Sequence, residues 1–209
     1  MYFKYPRTPH LPWSPGATSD DVVQIDTRMY VGKHVTISQK MDGENCNMYT
    51  DHIHARSIDS SNHESRTWVK QLHSDIKHNI PKGWRICGEN LFAKHAIHYD
   101  SLETYFYVFS IWDDKNMCLS VSDTKEWCEL LGLKFVPIIF EGMWSEEFVS
   151  KLHTTFDTNK VEGYVVRNSG SFHYSEFKNN ISKWVRKNHV ASGTDHWMHM
   201  KVVKNLLKE

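Results

Sequence analysis

Hydrophobic positions fall into short runs of strand length, separated by polar turns and by a few stretches with helical spacing. Residues 35–37, 84–87, 105–112, 135–140, 161–166 and 181–185 carry β-branched or aromatic side chains and predict strands. Residues 64–78 place Trp68, Leu72 and Ile76 on one helical face, and residues 122–131 carry Trp127, Leu130 and Leu131 before a stop at Gly132. A third helix is expected after Ser145. That serine can cap it, Glu146 and Glu147 complement its dipole, and Trp144 can staple onto Val149. Residues 195–207 repeat the helical pattern with Trp197, Val202 and Leu206 available for burial, so residues 188–209 are expected to form a short helical tail. At the other end Pro6, Pro9, Pro12, Pro15 and Gly16 exclude regular helix or central strand. Residues 1–20 are therefore expected to be an extended arm bracing the body, anchored by Tyr2, Phe3, Tyr5 and Trp13.

Strands and helices do not alternate regularly, and no internal repeat or linker is visible. An α+β fold follows, with two mainly antiparallel sheets flanked by helices, in one domain covering residues 1–209. Composition agrees: at 40% hydrophobic and 24% charged, the 209 residues can bury a core. Lys+Arg 25 against Asp+Glu 25 gives zero formal charge, which excludes gripping nucleic acid by bulk positive charge but leaves a local basic groove open. One candidate is the stretch from Lys178 onward, through Lys183, Arg186, Lys187, Lys201, Lys204 and Lys208. Cys46, Cys87, Cys118 and Cys128 form no CxxC pair and suit reduced thiols in a cytoplasmic protein. No apolar run approaches the ~18 residues of a membrane helix, and the N-terminus lacks a signal-peptide core. His95 and His98, like His196 and His199, have HxxH spacing, but no HExxH or cysteine partner accompanies them, so no zinc site is expected.

The segment Gln39-Lys40-Met41-Asp42-Gly43-Glu44-Asn45 follows a strand-like run and sets a lysine three residues before a glycine that can supply a tight turn. Such a lysine is a candidate nucleophile, provided its site lowers the amine pKa by desolvation or nearby positive charge. Alone, the segment suits a surface hairpin equally well. Four further segments occur in order: Gly88-Glu89-Asn90, residues 107–113 around Phe109, residues 161–167 around Glu162-Gly163, and residues 182–187 around Lys183. As an ordered set from Lys40 to Lys187, these resemble motifs I, III, IIIa, IV and V of the covalent nucleotidyltransferase superfamily of polynucleotide ligases and mRNA capping enzymes.

The spacing K-x-x-G-x-N, met by Lys40, Gly43 and Asn45, is similar to that of nick-sealing RNA ligases. DNA ligases and capping enzymes usually carry arginine where Asn45 stands. The resemblance implies an ATP-dependent RNA ligase that joins a 3′-OH to a 5′-phosphate through lysyl-AMP and an adenylated 5′ end. It implies that Lys40 attacks the α-phosphate of ATP, and that Glu162 holds Mg2+ or Mn2+. Gln39, Arg56, Glu89, Phe109, Lys183 and Lys187 would bind the nucleotide, and Asn45 would position the nick or RNA end. Lys183 and Lys187 are expected to share one face of an alternating strand. The implied partner is RNA, as a nicked duplex, and the implied state is a monomer. The resemblance further implies that residues 188–209 are too few for the OB-fold domain many members append. Two other readings stay open: a DNA ligase or capping-type enzyme, and a noncatalytic RNA-binding relic of the fold.

Overall fold

A computed structural model describes residues 1–187 and 202–209. Eleven strands and three α-helices follow in chain order. The strands are β1 (His34–Lys40), β2 (Glu44–Met48), β3 (Ile53–Ala55), β4 (Arg85–Asn90), β5 (Phe106–Trp112), β6 (Met117–Cys118), β7 (Lys134–Phe135), β8 (Ile138–Met143), β9 (Gly163–Asn168), β10 (Phe172–His173) and β11 (Ile181–Val185). The helices are α1 (Thr67–Ile76), α2 (Val121–Leu130) and α3 (Glu146–Lys151). The first sheet runs β11-β9-β1-β8, all antiparallel. The second runs β10-β6-β5-β4-β2-β3, with β7 added parallel to β5.

Alternation along the strands sorts side chains into layers. In the first sheet Val35, Ile37, Tyr164, Val166 and Trp184 point outward into a core shared with Val149 and Leu152. Thr36, Ser38, Lys40, Val165, Arg167 and Lys183 point the other way, toward the second sheet. The outer face of that second sheet carries α1 and α2: Val69 and Ile76 from one and Cys128 from the other bury against Met48, Ile86 and Val108. Between the sheets lies an aromatic layer of Tyr5, Trp112, Phe172 and Phe177, which closes one end and leaves a cleft at the other. Among the described residues no helix is long and apolar enough to cross a membrane. All four cysteines are free and buried.

Helix ends follow their local chemistry. The Ser120 and Ser145 side chains accept from the N–H groups of Asp123 and Phe148, capping α2 and α3, and Gly132 adopts φ 67° after α2. The expected strand at 135–140 is two strands in different sheets. Pro137 cannot donate to a ladder, and the chain changes sheets there, its carbonyl accepting from Gln39 N–H at 2.8 Å.

The N-terminal arm braces the first sheet as anticipated. The Pro9 carbonyl accepts from Lys183 N–H, and Leu11 N–H donates to the Lys183 carbonyl, each at 2.8 Å. All four aromatic anchors are engaged: Tyr2 stacks on His52, Phe3 packs near Tyr174, Tyr5 lies edge-on to Phe109, and Trp13 Nε1 donates to the Tyr164 hydroxyl at 3.1 Å.

The expected C-terminal helix is corrected. Residues 195–201, Trp197 among them, lie outside the described residues, and residues 202–207 are extended, with bridges from Lys204 to Ala93 and from Leu207 to Leu102. The segment spends its backbone on the loop after β4: Asn205 N–H donates to the Phe92 carbonyl and Lys94 N–H to the Val203 carbonyl. Leu206 is half exposed, whereas Asn205 is fully buried and donates through Nδ2 to the carbonyls of Leu91 at 2.8 Å and Ala93 at 3.3 Å. A buried amide bonded to the loop backbone at Leu91, Ala93 and Tyr99 outweighs the helical spacing of its apolar neighbours.

Gly163 faces Val185 across β9 and β11, and a Cβ there would sit 1.9 Å from the Trp184 carbonyl oxygen. Gly163→Ala should therefore lower unfolding stability in urea by about 1–3 kcal/mol, a measurement that reads the sheet directly.

Candidate active site

β1 ends at Lys40 in the first sheet and β2 begins at Glu44 in the second, so Met41, Asp42 and Gly43 carry the chain across the cleft. Asp42 secures that crossing. Its Oδ2 accepts from Ile97 N–H at 2.7 Å, and its own N–H donates to the Tyr99 hydroxyl at 2.9 Å. Gly43 N–H donates to Glu89 Oε1 at 3.2 Å. The glycine was expected to make a tight turn, but its φ is not positive. It is needed because a Cβ would meet the Asn90 carbonyl oxygen at 2.4 Å.

The result is a cleft of ≈ 840 Å³ between the sheets. Gln39, Lys40, Asn45, Arg56, Glu89, Phe109 and Lys183 all line it. Glu162 sits behind Lys40, only 3% exposed, with its Oε2 accepting from Lys40 Nζ at 2.5 Å. Asn45 lies opposite Glu89 on adjacent strands and accepts from Asn47 Nδ2 at 2.8 Å. Phe109 projects from β5 against Tyr5, between the aromatic layer and a second apolar cluster around Leu91 and Tyr107. Arg56 follows β3 at the rim of the second sheet, and its Nε is enclosed without a hydrogen-bond partner.

Lys187 is the exception. β11 ends at Val185, so the alternation expected to align Lys187 with Lys183 stops short, and Lys187 is exposed and does not line the cleft.

Sequence reasoning assigned no role to Arg167, Asp42 or Asp21. Arg167, buried on β9, donates to the carbonyls of Phe109, at 3.1 Å, and Leu119, tying the first sheet to the second beneath the cleft. It stood in the segment with Glu162, but nothing in a strand sequence tells a sheet-bridging arginine from an exposed one. Asp21, just beyond the arm, lies 3.9 Å from Lys183 Nζ and 3.5 Å from His10 Nε2.

These charges shift one another. For Lys40, burial pulls the pKa down, but Glu162 first, then Glu89 and Asp42, which are ionised in the alkaline range where a lysine titrates, outweigh it and hold the group above the ordinary lysine value. The expectation that the fold by itself lowers this amine's pKa is corrected accordingly. Lys183 is lowered, by burial first and then by the Lys40 charge. Burial pushes the Glu89 carboxyl up to about 8, against the opposing pull of Lys40, so at neutral pH it is mostly a neutral acid that can both donate and accept. The cleft thus holds a buried lysine on a carboxylate, a protonatable acid, an aromatic face and a row of cations, a set suited to a polyanionic, aromatic ligand.

A divalent cation fits this donor set in one way. Among the described residues no group of three metal-ligating side chains converges. Glu162 offers an enclosed carboxylate in contact with Lys40, which suits an ion such as magnesium held by one carboxylate together with phosphates of a ligand.

Comparison with known proteins gives a consistent picture. The RNA ligase family model matches residues 33–185. An archaeal ATP-dependent RNA ligase superposes with TM-score 0.58 at 16% identity, covering 87% of this chain and 48% of that one. A Naegleria gruberi RNA ligase variant with ATP and Mn gives TM-score 0.55 at 16% identity, over 88% and 59% of the two chains. An apo variant of the same ligase gives 0.56 at 18%, over 84% and 56%. The chain spans about half the length of these structures. No curated protein matches it in sequence.

Because folded Glu89 binds more protons than the unfolded chain between the ordinary carboxyl range and about 8, stability from this group falls as pH rises through that window. Glu89→Gln should raise the melting temperature more at pH 8 than at pH 5, and an equal effect at both would remove the shifted carboxyl.

Proposed function

Since the chain belongs to the RNA ligase family, we propose that it is an ATP-dependent RNA ligase that acts through AMP carried on Lys40. The observation that carries this reading is the placement of Lys40 Nζ at a cleft mouth, 2.5 Å from Glu162, with Glu89, Phe109 and Lys183 around the same space. The archaeal neighbour is an ATP-dependent RNA ligase and the Naegleria gruberi variant is a structure with ATP and Mn, which supports ATP and a divalent ion here.

In the first step the neutral Lys40 amine attacks the α-phosphorus of ATP. A P–N bond forms as the bond to the β-phosphate oxygen breaks, and pyrophosphate leaves. Lys40 rests as an ammonium held on Glu162 Oε2, so it must first lose a proton to solvent before it can attack. Lys183, its pKa lowered by burial and by the Lys40 charge, stands across from Lys40 where it can meet charge on the phosphate oxygens. A divalent ion bound at Glu162 would supply further neutralisation of the phosphoryl oxygens. Phe109 offers a ring face to adenine, Gln39 a base-edge contact, and neutral Glu89 a hydrogen bond to a ribose hydroxyl. AMP then passes to an RNA 5′-phosphate, and the 3′-OH attacks that activated end and expels AMP. Asn45 would position the RNA end, and a nicked duplex is the proposed substrate.

Two substitutions test this. Lys40→Ala should abolish ATP-dependent joining of a nicked RNA duplex but still seal a nick that is already adenylated, because only the first step uses the amine. Glu162→Ala should slow both by at least about a hundredfold at matched magnesium. ATP-dependent sealing by Lys40→Ala would overturn the proposal. As a pH signature, Glu162→Gln should shift the rise of AMP transfer to lower pH, since the carboxylate that holds Lys40 protonated is gone.

A further inference from the structure

Six cationic side chains line the cleft: Arg7, Lys40, Arg56, Arg66, Arg167 and Lys183. Four are committed. Lys40 pairs with Glu162 and Arg66 with Glu44, Lys183 faces Asp21, and Arg167 donates to two backbone carbonyls. Arg7 and Arg56 differ. Neither has a carboxylate within ion-pair distance among the described residues. Arg7 is exposed at the mouth, and one of its nitrogens donates to the Asp20 carbonyl at 2.9 Å. Arg56 is half-buried, with its Nε enclosed and unpartnered. The two guanidinium groups act on each other: after burial, the Arg7 charge is the next cause of the lowered Arg56 pKa, and the more weakly acting Asp21 carboxylate offsets it only in part.

Two like charges brought to one wall of a cleft repel unless an anion lies between them. They also come from different parts of the fold, Arg7 from the arm and Arg56 from the rim of the second sheet. The arm is fastened to the first sheet at Pro9 and Leu11, so Arg7 is held two residues from a fixed point. Guanidinium forks match phosphate oxygens, and each can give two parallel N–H donors to one phosphate.

We infer that Arg7 and Arg56 form a phosphate subsite that couples the N-terminal arm to the second sheet. Its ligand is a phosphate group of the substrate other than the one Lys40 attacks: the pyrophosphate portion of ATP, or the 5′-phosphate of the RNA. This rests on the proposed ligase reading for the identity of the substrate, but not for the existence of the subsite. It gives the arm a part in chemistry in addition to bracing: an anion there would offset the Arg7–Arg56 repulsion and tighten the arm.

Calorimetric titration of the full chain with inorganic pyrophosphate, ATP and AMP at low salt, with divalent ions chelated so that ATP is not consumed, reads the subsite without turnover. Arg7→Gln should weaken pyrophosphate and ATP about tenfold and AMP much less, with Arg7→Lys intermediate because it keeps the charge and loses the fork. Since Arg7 is exposed, an unchanged melting temperature should accompany the loss. Parallel titrations with 5′-phosphorylated and 5′-hydroxyl RNA separate the sources. If pyrophosphate binding is unchanged in Arg7→Gln but the preference for the 5′-phosphate disappears, the subsite belongs to RNA. If neither the pyrophosphate affinity nor that preference changes, or the wild-type chain shows neither, the inference is overturned. An Arg7-dependent pyrophosphate site in a chain that never takes up AMP would instead overturn the ligase reading and leave the subsite standing.

Discussion

Three residues carry the chain from the end of β1 to the start of β2, and with them from one sheet to the other. Everything in the cleft depends on how tightly that crossing is held. The Asn90 carbonyl of β4 lies where a side chain at position 43 would begin, so the chain entering β2 presses against β4 as closely as backbone allows. Asp42, buried and bonded to Ile97 and Tyr99, prevents the crossing from swinging outward. Glu89 closes the same turn from β4 by accepting from Gly43 N–H, so one carboxyl serves both the backbone and the cleft. Lys40 is thereby fixed at the last position of a strand, where its side chain must enter the gap between the sheets. Gly163, squeezed against the Trp184 carbonyl, allows β9 to lie close beside it and places Glu162 on the lysine amine.

That geometry sets the electrostatics. Burial alone would release the Lys40 proton, yet the acidic surroundings, Glu162 above all, outweigh it and keep the resting amine charged. A charged lysine is inert as a nucleophile, and it is also stable in an enclosed site only because Glu162 is there. The lysine and the carboxylate therefore guard each other until a substrate with its own charges redistributes the balance. Glu89, surrounded by the same groups, escapes the cost of a further buried charge by binding a proton.

How much of this was legible in the sequence follows from what each residue contacts. Dense apolar runs such as those of β5, β9 and β11 bury on both faces, so they stand out. β2, Glu-Asn-Cys-Asn-Met, did not, because Asn47 is fully buried with its Nδ2 donating to the Ala55 carbonyl and Asn45, and a polar residue held in the core this way looks like a loop residue in sequence. The tail misled for the same reason, with Asn205 buried and Leu206 exposed. In the site, Lys40, Glu89, Phe109, Glu162 and Lys183 came from the order of their segments; four of them line one cleft, and Glu162 backs it through Lys40. Lys187 did not join them, since strand alternation carries no information past the strand's end at Val185. Arg7, Asp21 and Arg167 gave no signal, because their roles arise from contacts between elements far apart in the chain.

The central claim is that Lys40 is the group that accepts AMP, and the most direct test is to locate it. The full chain should be incubated with ATP and magnesium, digested under conditions that preserve a phosphoramidate, and its peptides sequenced by mass spectrometry. The account predicts one AMP per chain, carried on Lys40. AMP on Lys33, Lys183 or any other residue, or a chain that remains unmodified while joining RNA with ATP, would contradict it.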